Sequence, residues 1–156
     1  MTQPKFAPQI SIPATYMRGG TSKGTFFKLS DLPERCQVAG SPRDNFLLRV
    51  IGSPDPYGKQ IDGLGNGSSS TSKTVILSKA SRADHDVNYL FGQVNIAKPM
   101  IDWAGNCGNL TAAVGACAIN MGIVDADKVS SSIDVDADSG ICEVRIWQEN
   151  IGKTII

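Results

Sequence analysis

From Leu110 to Met121 nearly every residue is small or apolar, and the run opens behind Gly105-Asn106-Cys107-Gly108-Asn109. No other stretch constrains the fold as strongly. Polar positions are few (Thr111, Asn120), so the run predicts a helix without a hydrophilic face, buried on every side. At about 12 residues it is too short for a bilayer, which takes roughly 20. Gly122 supplies a C-terminal stop. Asn109 is the expected N-cap, with Cys107 just ahead of the first turn. Alanine and glycine let other elements approach closely, which predicts a central helix wrapped by sheet.

A cysteine at that place has chemical consequences. The first N–H groups of a helix lack internal partners and carry partial positive charge, which stabilises a thiolate. A substrate carboxylate can use the same donors. Gly105 and Gly108 remove side chains that would block a ligand from the backbone. Cys107 therefore reads as a functional thiol, whereas Cys117, inside the helix, reads as a buried structural one.

The remaining composition narrows the class. A chain of 156 residues fits one domain, 1–156, and 41% apolar with 19% charged residues excludes a disordered one. Fifteen basic and 15 acidic side chains leave no basic surplus for nucleic acid. No apolar run follows Met1-Thr2-Gln3-Pro4-Lys5, so neither a signal peptide nor a membrane contact is expected, and the expected location is cytoplasmic. Cys36, Cys107, Cys117 and Cys142 show no paired metal-type spacing and His85 is the only histidine, so no metal is expected. His85, between Asp84 and Asp86, reads as a surface histidine. The chain ends on the strand-like Thr154-Ile155-Ile156, which predicts that the polypeptide continues or that this is a fragment.

The coarse reading has two helices and many short strands. Ile10 to Met17 and Thr25 to Leu29 predict strands around a tight loop, Arg18 to Gly24. Pro42 to Ile51 predicts a helix with Ser41 as N-cap, ended by Gly52. Further strands are expected at 74–78, 87–93, 133–136 and 142–147. Strands on both sides of one helix, without regular alternation, favour α+β.

Two loops imitate phosphate loops. Gly67 to Thr74 nearly fits G-x-x-x-x-G-K-[ST], but Ser72 replaces the second glycine and strand residues follow Lys73. In Gly19 to Gly24 the glycine and lysine are in the wrong order. Nucleotide binding is not expected. Both loops still offer N–H, hydroxyl and cationic donors to an anion, with Lys73 and Arg18 as the candidate cations.

These segments together resemble the PrpF-type 2-methylaconitate cis–trans isomerase family. The resemblance rests on Thr15 to Gly24, Arg49 to Asp55, Ser70 to Val75 and Asp102 to Gly115, and extends to Asn150-Ile151-Gly152-Lys153-Thr154. It implies a diaminopimelate epimerase-like fold: two similar domains, each a curved, mostly antiparallel sheet around a central helix, with the site in the cleft between them. The second domain is missing from this chain, so half of such a site is expected. The resemblance further implies proton transfer without a cofactor, on an unsaturated tricarboxylate, with Lys73 and Cys107 as acid and base. Arg18 or Lys23 near Lys73 would favour its neutral form. Gly108 and Asn109 N–H groups, with Asn106, Arg18, Thr21 and Ser22, are the expected carboxylate donors. Relatives of this kind include aconitate isomerases and 4-oxalomesaconate-type tautomerases. Two other classes stay open: a Cys hydrolase using His85, and a non-catalytic carboxylate-binding module. Oligomeric state is open too, with a homodimer among the alternatives.

Overall fold

In the computed structural model, which describes residues 9–131, 133–134 and 139–156, a mixed sheet separates two hydrophobic layers. Strands β1 (Thr15–Gly19) and β2 (Ser22–Lys28) form a hairpin in which Gly19 faces Ser22 and Arg18 faces Lys23. The turn is therefore only Gly20-Thr21, with Gly20 at φ +51°. The expected loop from Arg18 to Gly24 is mostly strand, because two residues suffice to reverse an antiparallel pair. The first strand begins at Thr15 and not at Ile10.

Helices α1 (Glu34–Gln37) and α2 (Ser41–Ile51) follow. Gly40, at φ +136°, takes the cap position expected of Ser41, and its carbonyl accepts from the Asp44 N–H at 3.1 Å. Gly52, left-handed at φ +85°, ends α2 as expected. Strands β3 (Lys73–Lys79), β4 (Val87–Val94) and the short β5 (Ile101–Asp102) come next. Helix α3 (Gly108–Asn120) and helix α4 (Ala126–Ser131) precede a separate pair, β6 (Ile133–Asp134) and β7 (Ser139–Gly140). Strands β8 (Ile146–Gln148) and β9 (Lys153–Ile155) complete the main sheet. The expected strand at 142–147 shrinks to its end, and 135–136 of the expected 133–136 strand lie outside the described residues.

Sheet order is β1-β2-β3-β4-β8-β9, with β5 also on β4. Pairs β2/β3 and β4/β8 are parallel; β1/β2, β3/β4, β4/β5 and β8/β9 are antiparallel. Alternation along the strands assigns the two faces. Phe26, Val75, Leu77, Tyr89 and Phe91 pack with Leu110, Val114 and Cys117 of α3. Phe27, Ile76, Val94 and Ile101 pack with Leu47, Leu48 and Ile51 of α2 on the other face.

Helix α3 departs from its expected surroundings. It buries Leu110, Ala113, Val114, Cys117 and Ala118 against the sheet, but exposes Ala112, Ala116 and Asn120. It is thus covered on one side only. A run of alanine and glycine lacks a polar face, yet a methyl group carries too little apolar area to demand burial. Gly122, at φ +63°, closes the helix as expected, with Ile123 N–H on the Ala118 carbonyl at 2.9 Å. No helix among the described residues is long and apolar enough to cross a membrane.

The hairpin lies backbone-to-backbone on the start of α3. A Cβ on Gly19 would sit 2.4 Å from the Asn109 carbonyl oxygen and 2.9 Å from Leu110 Cα. One on Gly24 would sit 2.8 Å from Leu110 Cδ1. Replacing Gly19 by Ala is therefore expected to cost about 1–3 kcal/mol, as other overpacking does. Gly105→Ala, with nothing within 4 Å of its added methyl, should stay within about 0.5 kcal/mol of the parent. Urea unfolding midpoints of the two variants check this; equal midpoints would mean that hairpin and helix do not meet so closely.

Candidate active site

The site grows from the junction of hairpin and helix. Cys107, and not Asn109, is the N-cap of α3: the Thr111 N–H closes the first helical bond on the Cys107 carbonyl at 3.0 Å. The N–H groups of Gly108 and Asn109 then precede the helical ladder and have no partner in it. Both residues are exposed, and a Cβ on Gly105 or Gly108 would meet open space. The Asn109 side chain is used otherwise. Its Nδ2 donates to Thr21 Oγ1 at 3.1 Å, tying the hairpin tip to the helix. Asn106 is exposed on the loop from β5 to α3.

The Cys107 thiol is buried and points at Ser22, with its Sγ 3.9 Å from Ser22 Oγ. Tyr89 underlies it, donating weakly to the Cys107 carbonyl at 3.4 Å. Burial raises the Tyr89 phenol well above its ordinary range, and the neighbouring Cys107 adds to the rise. That hydroxyl stays a donor.

Lys73 opens β3 on the same sheet face, being in phase with Val75 and Leu77 of the α3-side core. It is 7% exposed. Its Nζ donates to Gln93 Oε1 at 2.5 Å and lies 5.1 Å from the centroid of the Phe91 ring, within cation–π range. Gln93 is its register partner on β4. The serine-rich segment before Lys73 is folded on itself and holds no helix. Ser68 shares hydrogen bonds with Ser70 and Thr71 at 2.9 and 2.8 Å. Ser72 donates to the Val94 carbonyl at 2.8 Å and accepts from Gln60 Nε2 at 2.7 Å.

Lys73, Cys107, Ser22, Thr21, Gly108 and Asn109 are thus gathered at one end of one face, around the glycine-bearing start of β2. Arg18 is not. It alternates with Met17 and Gly19, both of which meet α3, so it projects from the other face, and its Nη1 donates to the Gly20 carbonyl at 3.1 Å. Lys23, its cross-strand partner, shares that face. Neither supplies a cationic neighbour for Lys73.

His85 is buried, not a surface residue. Its ring bonds Asp84 Oδ1 at 2.8 Å and Thr154 Oγ1 at 2.9 Å, and stacks edge-on against Trp147 at 5.4 Å. The acidic neighbour was legible, but the aromatic wall comes from β8. With both nitrogens committed there, beyond the end of β4 opposite Gln93, His85 does not partner Cys107.

Sequence reasoning missed Gln93, Phe91 and Asn150. Asn150 accepts from the Phe91 N–H at 2.8 Å and donates to the carbonyls of Phe91 at 2.9 Å and Trp103 at 2.6 Å. It thereby anchors the loop that leads into Cys107. No local pattern marks these residues; only the β3/β4 register brings Gln93 to Lys73.

Fold and site together define a domain of helices on a mixed, mostly antiparallel sheet that presents a lysine and a cysteine on one sheet face, beside a helix N-terminus. The family pattern described as PrpF protein matches residues 9–156, and the chain belongs to that family. It is 65% identical over 156 residues to the 2-methyl-aconitate isomerase of Shewanella oneidensis, covering 100% of this chain and 38% of that protein. It is 43% identical over 148 residues to the 4-oxalomesaconate tautomerase of Pseudomonas putida, covering 95% and 36%. The crystal structure of a methylitaconate-delta-isomerase superposes with a TM-score of 0.75 at 40% identity, covering 92% of this chain and 33% of that one. The chain spans about a third of the length of the relatives it matches.

The thiols of α3 should separate chemically. Burial pushes Cys117 up to about 11 from 9.0, so its thiolate is scarce at neutral pH. Because the folded value lies above the unfolded one, Cys117 favours folding below pH 9, and that contribution fades as pH rises towards about 11. Peptide mapping after iodoacetamide treatment at pH 8 should find Cys117 unmodified in the folded protein and alkylated in urea. Equal labelling in both would contradict its enclosure.

Proposed function

We propose that this chain is part of an isomerase that moves a proton, and with it a double bond, in an unsaturated tricarboxylic acid of the 2-methylaconitate type. The observation that carries the reading is the convergence of Lys73 and Cys107 on the α3-side face, either side of the Ser22–Gly24 segment. Membership of the PrpF family and 65% identity to a 2-methyl-aconitate isomerase support the substrate class.

One of the two groups removes a proton from the carbon adjacent to the unsaturated acid. The electron pair left behind spreads through the allylic system into a carboxylate. Delivery of a proton by the other group at the far end moves the double bond. Return of a proton to the first carbon, after rotation about the bond that lost its double character in the anion, exchanges cis for trans. In either case no oxidant or external donor is consumed. Charge accumulates on the carboxylate, where the N–H groups of Gly108 and Asn109 and the hydroxyls of Ser22 and Thr21 are suitable donors. The Asn106 amide is a further donor. Acid–base chemistry needs no resident cofactor or metal.

Under this reading the domain is a diaminopimelate epimerase-like half, and a second domain supplies the other wall of the site. A homodimer and a cytoplasmic location fit the same reading. The 4-oxalomesaconate tautomerase is the alternative substrate assignment, favoured by the 43% identical relative.

The test uses the uninterrupted protein. Solvent deuterium should enter 2-methylaconitate or trans-aconitate during turnover, as followed by proton NMR. Lys73→Ala and Cys107→Ala should each slow exchange by about 10²- to 10⁴-fold, the usual worth of a positioned acid or base. Exchange at the parental rate in either variant removes that residue from the mechanism.

A further inference from the structure

We propose that Gln93 is a positioning residue that fixes the Lys73 amine and decides which of its N–H bonds face the substrate. The inference rests on the proton-transfer reading and adds to it a residue that acts through Lys73, by accepting from its amine. A glutamine amide has one acceptor and two donor positions. Here Nε2 donates to the Ser72 carbonyl at 2.9 Å and the Ser69 carbonyl at 3.2 Å. With both N–H bonds spoken for, the amide cannot flip without leaving two carbonyls facing an oxygen. Oε1 is therefore held towards Lys73, and the register pairing of Lys73 with Gln93 sets the separation.

The consequence for Lys73 is geometric. Its ammonium is a flexible donor on a four-carbon stem, and a proton-transfer step needs it placed within a few tenths of an ångström. One N–H is spent on Gln93 Oε1, and the Phe91 ring covers one side. The remaining N–H bonds, or the lone pair of the neutral amine, are left for substrate. Gln93 is also neutral. The ionisable groups around this corner are Cys107 and Tyr89 on the α3 side and Asp102, which faces Gln93 from β5 with its carboxylate on the Ala104 N–H at 2.8 Å. Among the described residues no carboxylate pairs with Lys73 itself. A neutral acceptor orients the amine without pinning it as a salt-bridged ammonium.

Two variants of the uninterrupted protein test this. Gln93→Met keeps the length but removes the acceptor, and should lower kcat about 10- to 100-fold while KM stays within about twofold. Gln93→Glu places a carboxylate against the amine, and should move the limb of the kcat pH profile that reports Lys73 to higher pH by about one unit or more. A structural role alone would lower the thermal midpoint without moving that limb. Gln93→Met with parental kcat overturns the proposal, and so does a Gln93→Glu profile superimposable on the parent. Should one variant fail to fold, the other decides by the same criteria. Lys73→Ala is measured alongside: inactive Lys73→Ala with an unaffected Gln93→Met sinks only this inference, whereas exchange at the parental rate in Lys73→Ala sinks the reading beneath it.

Discussion

The close approach of the β1/β2 hairpin to the first turn of α3 is the constraint on which the site depends. Two backbones meet with no room for a side chain at Gly19, and Gly20 is shaped by the Asn109 amide. That contact brings the start of β2 to the helix mouth. Ser22 then lies against Cys107 and Thr21 against Asn109, so one packing requirement places donors of two elements together. Glycine costs conformational entropy in a strand. Here the cost is offset by a distance that no larger residue permits.

The sheet then sorts the cations. Arg18, Lys23 and Lys73 all sit in glycine- and hydroxyl-rich surroundings, and composition does not distinguish them. Pleating does. Lys73 is in phase with Val75 and Leu77 and shares the face that carries Cys107, while Arg18 and Lys23 are out of phase with Met17, Gly24 and Phe26. A slip of one residue along β2 would turn Lys23 towards the α3 face. The identity of the buried cation is thus a consequence of strand register, which is itself secured by the core residues on both faces.

Local pattern made much of this legible. The α3 run, its Gly122 stop, the placing of Cys107 ahead of the first turn, and the strands around Val75 and Tyr89 follow from spacing and capping alone. What stayed hidden was decided at long range. Whether an alanine-rich helix is enclosed or half exposed depends on what covers it, and Ala112 and Ala116 look the same in either case. His85 sits among acids in sequence but is walled by Trp147 and Thr154 from the last strands. Gln93 carries no motif, and Asn150 stands in a segment of the family resemblance that assigns it no role. Each acts through partners tens of positions away, and a single sequence contains no sign of that pairing.

The electrostatics of the corner follow from the same sorting. A buried cation is costly unless it is paired or well bonded. Lys73 has an amide oxygen and an aromatic face as its partners, both neutral. The helix mouth adds partial positive charge from N–H groups ahead of the α3 ladder. The two features have the same sign and lie on the same side of the sheet, so the corner favours an anion over a neutral or cationic ligand. An anionic ligand in this corner would offset the cost of the buried cation and find free donors at the helix mouth.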